Sequence, residues 1–268
     1  MKEDIQTLSN YLDTLQREGQ YFFSRKKVYE VLHLSPIAFH HALYRLNKKG
    51  RIQRVRGDFY NIIPLEHQNI GSVPATWFID QFMNSLSTQY YVGILSSAAL
   101  HGAAHQQPMV FQVITDRPMR PINLGRLHLE FYYKKLIMPN FYSAVKTEAG
   151  AMQVATPEMT ACDLLRYLNA AAQINNVATV LIELAEKIDI SVFNQYARQG
   201  WVDISTIQRL GYLLESLDLE LPPLDELALW VQTHTRCYRP LVRGHQAPVL
   251  KRNARWRILV NEEVEPDL

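Results

Sequence analysis

Four breaks between Ser24 and Pro64 constrain the fold more tightly than any other stretch of the chain. Ser24 is placed to cap a short helix in which Val28, Val31 and Leu32 share one side. Ser35-Pro36 starts a longer helix, because the serine hydroxyl can accept from an orphan amide and proline at the first helical position sacrifices no hydrogen bond. That helix should run to Lys49 and stop at Gly50. Arg51–Val55 and Phe59–Ile63 then flank the turn Arg56-Gly57-Asp58, so two extended runs around a glycine read as a β-hairpin closed by Pro64. Upstream, Ile5, Leu8, Leu12 and Leu15 recur at steps of three and four, one face of a first helix that ends by Gly19. Three helices followed by a hairpin predict a winged helix-turn-helix over residues 1–64.

Charge points the same way. The whole chain carries 28 basic and 26 acidic residues, yet nine of the basic ones and only one acid, Glu30, fall between Ser24 and Gly57. On the Ser35-Pro36 helix, Phe39, Ala42, Leu43 and Leu46 make the inward side, while Ile37, His41, Tyr44 and Lys48 point outward, flanked by His40 and Arg45. An exposed face of that makeup suits a DNA groove, with the hairpin beside it for the flanking backbone. The candidate DNA-binding residues are therefore Arg25, Lys26, Lys27, Ile37, His40, His41, Tyr44, Arg45, Lys48, Arg51, Arg54 and Arg56, the last two aimed at phosphates. A solvated charged surface is the bland alternative for a run of this length; the order of elements favours DNA.

Leu65–Val73 is a short polar connector ahead of Pro74, which puts a second domain at residues 74–268. There, Trp77 to Met83 and Ser96 to His101 fit helices, and Met109–Thr115 and Leu127–Tyr133 look like strands. Thr156-Pro157 opens a helix through Leu168, and Val177–Ile188, Ser205–Leu217 and Leu224–Val231 are amphipathic segments. The expected fold class is thus α+β: the winged helix followed by a larger mixed domain.

Chemistry-bearing motifs are scarce. The chain has no phosphate-cradling glycine loop, no G-x-S-x-G and no H-E-x-x-H. Gly102 interrupts the spacing of His101 and His105, and Asp116, Glu130 and Lys134 are too loosely spaced for a nuclease centre, so no catalytic residue, metal or cofactor is expected. Cys162 and Cys237 match no ligand pattern, and no apolar run nears the roughly 20 residues of a membrane span. The amino-terminal residues lack the apolar core of a secretory signal, and a cytoplasmic protein is expected. Arg236 to Arg257 form a second basic stretch without an acid, open to DNA backbone, to an acidic partner, or to a simple exposed tail.

Four features together resemble the AbiEi-type antitoxins, transcriptional regulators of type IV toxin–antitoxin systems in bacteria. They are Lys49-Gly50-Arg51-Ile52 with Arg54 to Tyr60; Tyr90-Tyr91 with Ser96 to Gly102; Ala155 to Leu165; and Arg255 to Asn261. The acidic Asp58 in the wing turn departs from the basic or glycine residue expected there. The resemblance implies an amino-terminal domain that binds double-stranded DNA at inverted repeats in the promoter of its own operon. It implies a carboxy-terminal domain that opposes a nucleotidyltransferase toxin without having to touch it, in phage defence by abortive infection, with no cofactor and no membrane. Competing readings are a nuclease targeted by a winged helix and a protein-interaction scaffold.

Overall fold

A computed structural model of the chain describes residues 7–103, 109–219, 221–244 and 248–266. Ile5 and His105 lie outside them. Ten α-helices and three sheets occur among the described residues, so the chain is α+β, as its pattern predicts. Two compact units divide it: Met1–Tyr91, Met109–Ile137 and Ala144–Gln153, and then Val92–Pro108, Met138–Ser143 and Val154–Leu268.

The first unit opens with α1 (Leu8–Arg17), β1 (Phe22–Ser24), α2 (Arg25–Leu32) and α3 (Pro36–Lys48). The hairpin β2 (Ile52–Arg56) and β3 (Phe59–Ile62) follows. Ser24 and Ser35 do cap their helices, with their hydroxyls accepting from the amides of Lys27 and Ala38 at 3.2 Å each. Pro36 occupies the first turn of α3, and Gly50 leaves the helix with φ +66°. The turn between α2 and α3 is made by His33 at φ 49°, a left-handed conformation that the sequence does not advertise. Strand β1 pairs antiparallel with β3, so the hairpin is the larger part of a three-stranded sheet in the order β1-β3-β2.

Leu8, Tyr11, Leu12 and Leu15 of α1, Val28 of α2, Phe39 and Leu46 of α3, and Ile52, Tyr60 and Ile62 of the hairpin share one core. Ala42 and Leu43 pack against it from its edge, and Tyr29 takes the inward place expected of Val31, which is exposed. The other face of β3 is buried as well. There Phe59 stacks on Phe22 at 5.4 Å and meets Phe82 edge-on at 5.3 Å. Phe82 belongs to α4 (Ile79–Ser85), which begins later than the Trp77 of the sequence reading because Ala75–Trp77 form a 3₁₀ turn.

β4 (Tyr90–Val92), α5 (Ile94–Leu100), β5 (Phe111–Thr115), β6 (Ile122–Leu124) and β7 (Leu127–Tyr133) come next. β8 (Tyr142–Thr147) and β9 (Gly150–Ala155) complete a six-stranded sheet in the order β6-β7-β5-β4-β9-β8. β5 and β7 run parallel with Phe111 opposite Leu129, and β6 runs antiparallel to β7.

The second unit continues with α6 (Pro157–Arg166), α7 (Gln173–Leu184), α8 (Ile190–Gln199), α9 (Ile204–Ser216) and α10 (Asp225–His234). Three short strands, β10 (Arg239–Pro240), β11 (Lys251–Asn253) and β12 (Ile258–Val260), form the last sheet in the order β10-β12-β11. The buried hydroxyls of Ser97 and Thr160 meet at 2.9 Å and join α5 to α6. Trp256, fully buried, packs its ring closely against Gly211 of α9 and donates its indole N–H to Glu215 at 2.8 Å. These contacts give structural roles to the second, third and fourth sequence features.

Candidate nucleic-acid interface

Helix α3 presents the side chains that its pattern predicts to be outward. Ile37 is 73% exposed and Tyr44 64% exposed, although both are large and apolar or aromatic. His40, His41, Arg45 and Lys48 are exposed beside them. Largely exposed, this row offers apolar, aromatic and cationic groups on one helical face. Between α2, α3 and the hairpin lies an open cleft of about 400 Å³, bordered by Arg25, Tyr29, His40, Leu43, Tyr44 and Arg54.

The basic residues divide by what they touch. Lys26 and Lys27 are exposed at the start of α2, and the 3.9 Å approach of Lys27 to Glu30 is too solvated to fix either side chain. Arg25 pairs with Asp58 at 3.0 Å, and its main-chain N–H donates to the Asp58 carbonyl at 3.0 Å. A hydrogen bond to Tyr60 and the charge of Asp58 raise the pKa of Arg25. The acid in the hairpin turn therefore ties that turn to the first residue of α2, a role that accounts for its departure from a basic or glycine residue.

Arg51 turns away from this face. Half-buried, it donates to Asp13 Oδ1 at 2.6 Å, to Gln16 Oε1 at 3.1 Å and to Ser9 Oγ at 3.3 Å, three acceptors aligned along α1. Arg54 and Arg56 would share a side of a regular strand, but a bulge between them shifts the register, with Arg54 opposite Tyr60 and Arg56 opposite Phe59. Arg54 borders the cleft and donates Nε–H to the Gly57 carbonyl at 2.7 Å. Arg56 leaves the other way and donates to the carbonyls of Arg120 at 2.6 Å and Pro121 at 3.4 Å. Burial and then the charge of Arg120 lower its pKa.

The residues weighed for other chemistry are engaged elsewhere. His101 lies just past the end of α5 with Nε2 2.7 Å from the Ala155 carbonyl. Glu130 accepts from the Tyr132 hydroxyl at 2.5 Å, and the buried Lys134 donates to the Tyr91 hydroxyl at 3.0 Å. Among the described residues no group of three or more His, Cys, Asp or Glu side chains could hold a metal, and no helix is long and apolar enough to cross a membrane. Sequence reasoning missed β1, although the aromatic run Tyr21-Phe22-Phe23 carries strand propensity. It also missed the partner of Asp58 and the contact of Arg56 with residues 120 and 121, for which no local signal exists.

An α+β chain of this architecture has a counterpart among solved structures. The RV2827C protein from Mycobacterium tuberculosis, in its crystal structure, shares the fold with a TM-score of 0.66 at 12% identity, over 93% of this chain and 89% of that one. No curated protein matches the chain. Residues 91–216 match the family model of the AbiEi antitoxin C-terminal domain, which bears out the resemblance to AbiEi-type antitoxins and supports an antitoxin role in a toxin–antitoxin system.

Proposed function

We propose that residues 1–64 form a winged helix-turn-helix that binds double-stranded DNA at inverted repeats in the promoter of its own operon and represses it. Residues 74–268 then act as the antitoxin part, opposing a nucleotidyltransferase toxin of a type IV system without needing to touch it.

The observation that carries the DNA reading is the outward row of α3, in which Ile37 and Tyr44 stand exposed among His40, His41, Arg45 and Lys48. Exposed aromatic and apolar groups interleaved with cations fit base edges and phosphates of a major groove. Arg54 at the rim of the cleft, with Lys26 and Lys27 at the start of α2, supplies backbone contacts. Asp58 reduces the positive charge of the wing tip but holds the turn in place through Arg25. The antitoxin part rests on the family match. The reading assigns no catalytic residue and requires no cofactor.

Substitution tests it. Tyr44→Ala and Arg45→Ala should each lower the preference for promoter DNA over unrelated DNA, by about 1–3 kcal/mol where a base contact is lost. Arg54→Ala should weaken all DNA alike and lower the salt slope by about one. Unchanged preference in both α3 variants would refute the placement of that helix in the groove.

A further inference from the structure

The loop between β5 and β6 carries Arg117, Arg120 and, past β6, Arg126, against one acid, Asp116. It is held at its base. The Asp116 amide donates to the Gln89 carbonyl at 3.2 Å, Arg117 donates to the Leu86 carbonyl at 2.7 Å, and the Thr115 hydroxyl donates to the Arg117 carbonyl at 2.8 Å. Pro118 and Pro121 bracket the apex and restrict its backbone. Arg56 of the hairpin reaches this apex and donates to two of its carbonyls. Arg120 is exposed at the apex that the half-buried Arg56 holds through its main-chain carbonyl. Neither has an acidic partner among the described residues, and the carbonyls that Arg56 meets are neutral. An exposed guanidinium on a restrained loop, with no carboxylate paired to it, is placed to donate to an anion with several acceptor oxygens.

We propose that the β5–β6 loop is a second contact to the DNA backbone, seated against the wing by Arg56, in which Arg120 binds a phosphate adjacent to the segment read by α3. The proposal rests on the DNA-binding reading above and deepens it. Arg120 is the phosphate ligand and Arg56 is the positioning residue. Because the contact is to phosphate, it adds affinity and salt dependence without sequence preference. A duplex contacting only α3 and the cleft is shorter than one that also reaches the loop, so the effect should depend on DNA length on one side of the site.

The experiment measures the affinity of the full chain for upstream DNA and for a scrambled duplex across a salt series. It compares the wild type with Arg120→Ala, Arg120→Lys and Arg56→Ala, with circular dichroism to show that each variant is folded. Arg120→Ala should lower the slope of log affinity against log salt by about 0.9 while leaving the preference ratio unchanged. Arg120→Lys should restore most of the slope. In an Arg56→Ala background, the further loss caused by Arg120→Ala should shrink, because the loop is no longer seated. Trimming the duplex on the wing side should abolish the difference between the wild type and Arg120→Ala. A slope unchanged by Arg120→Ala, while Arg54→Ala lowers it, would overturn this inference and leave the DNA-binding reading standing. Absence of any preference in the wild type would overturn the reading itself, and this inference with it.

Discussion

Arg51 separates two accounts of the basic segment, because a cation in that run can serve DNA or serve the fold. Its guanidinium bonds Asp13, Gln16 and Ser9 of α1, with side-chain exposures of 24% for Arg51 and 48% for Asp13. A fully exposed pair contributes about 0.2–1 kcal/mol, and hydrogen bonds to charged groups contribute about 1.5–3 kcal/mol when shielded. This half-shielded cluster lies between those limits, so Arg51→Ala should cost about 1–2 kcal/mol. With a urea slope of about 2 kcal/mol/M, the midpoint of urea unfolding followed by far-ultraviolet circular dichroism should fall by roughly 0.5–1 M. Asp13→Ala should cost a comparable amount, and the double variant should cost less than the sum, with a coupling of about 1 kcal/mol. The salt dependence of DNA binding should keep its slope in Arg51→Ala. Unchanged stability together with a slope lower by about one would refute the reasoning and make Arg51 a phosphate contact.

Two further outcomes test the second unit. Gly211→Ala would place a methyl group inside the ring of Trp256, so a change worth a gain of about 0.5–1 kcal/mol in an ordinary helix should instead cost about 3 kcal/mol, read by chemical denaturation. Burial raises the pKa of Asp203, but hydrogen bonds from Ser205 and Thr206 and the charge of Arg166 outweigh it and hold the carboxyl below its ordinary 3.8. The stability that Asp203 contributes is therefore complete above the ordinary value and is lost as pH falls through the lower folded-state value. An acid titration of stability should show a steeper loss below about pH 4 in the wild type than in Asp203→Asn, and parallel curves would contradict it.

Legibility in the sequence followed the range of the interactions. The caps at Ser24 and Ser35, the stop at Gly50 and the turn at Gly57 act within a few residues, so each is written in the local sequence. The outward row of α3 followed from helical spacing alone. The bulge that parts Arg54 from Arg56 could not be read, because an extra residue in one strand is defined only against its partner. Charge alone groups Arg51 with the DNA-facing cations, because its three acceptors on α1 lie 35 to 42 residues away in the chain. In the second half, β5 and β7 were legible as apolar runs of strand length. The short buried strands β4 and β6 were not, because three-residue elements carry no periodicity.

The central claim is that this chain reads a DNA sequence through α3, and a fluorescence-anisotropy titration tests it most directly. The purified protein would be titrated against DNA from immediately upstream of its own gene and against a scrambled duplex, at about 150 mM salt. The account predicts a preference of roughly 10³-fold or more for the upstream DNA. Weak and equal binding to both would contradict it.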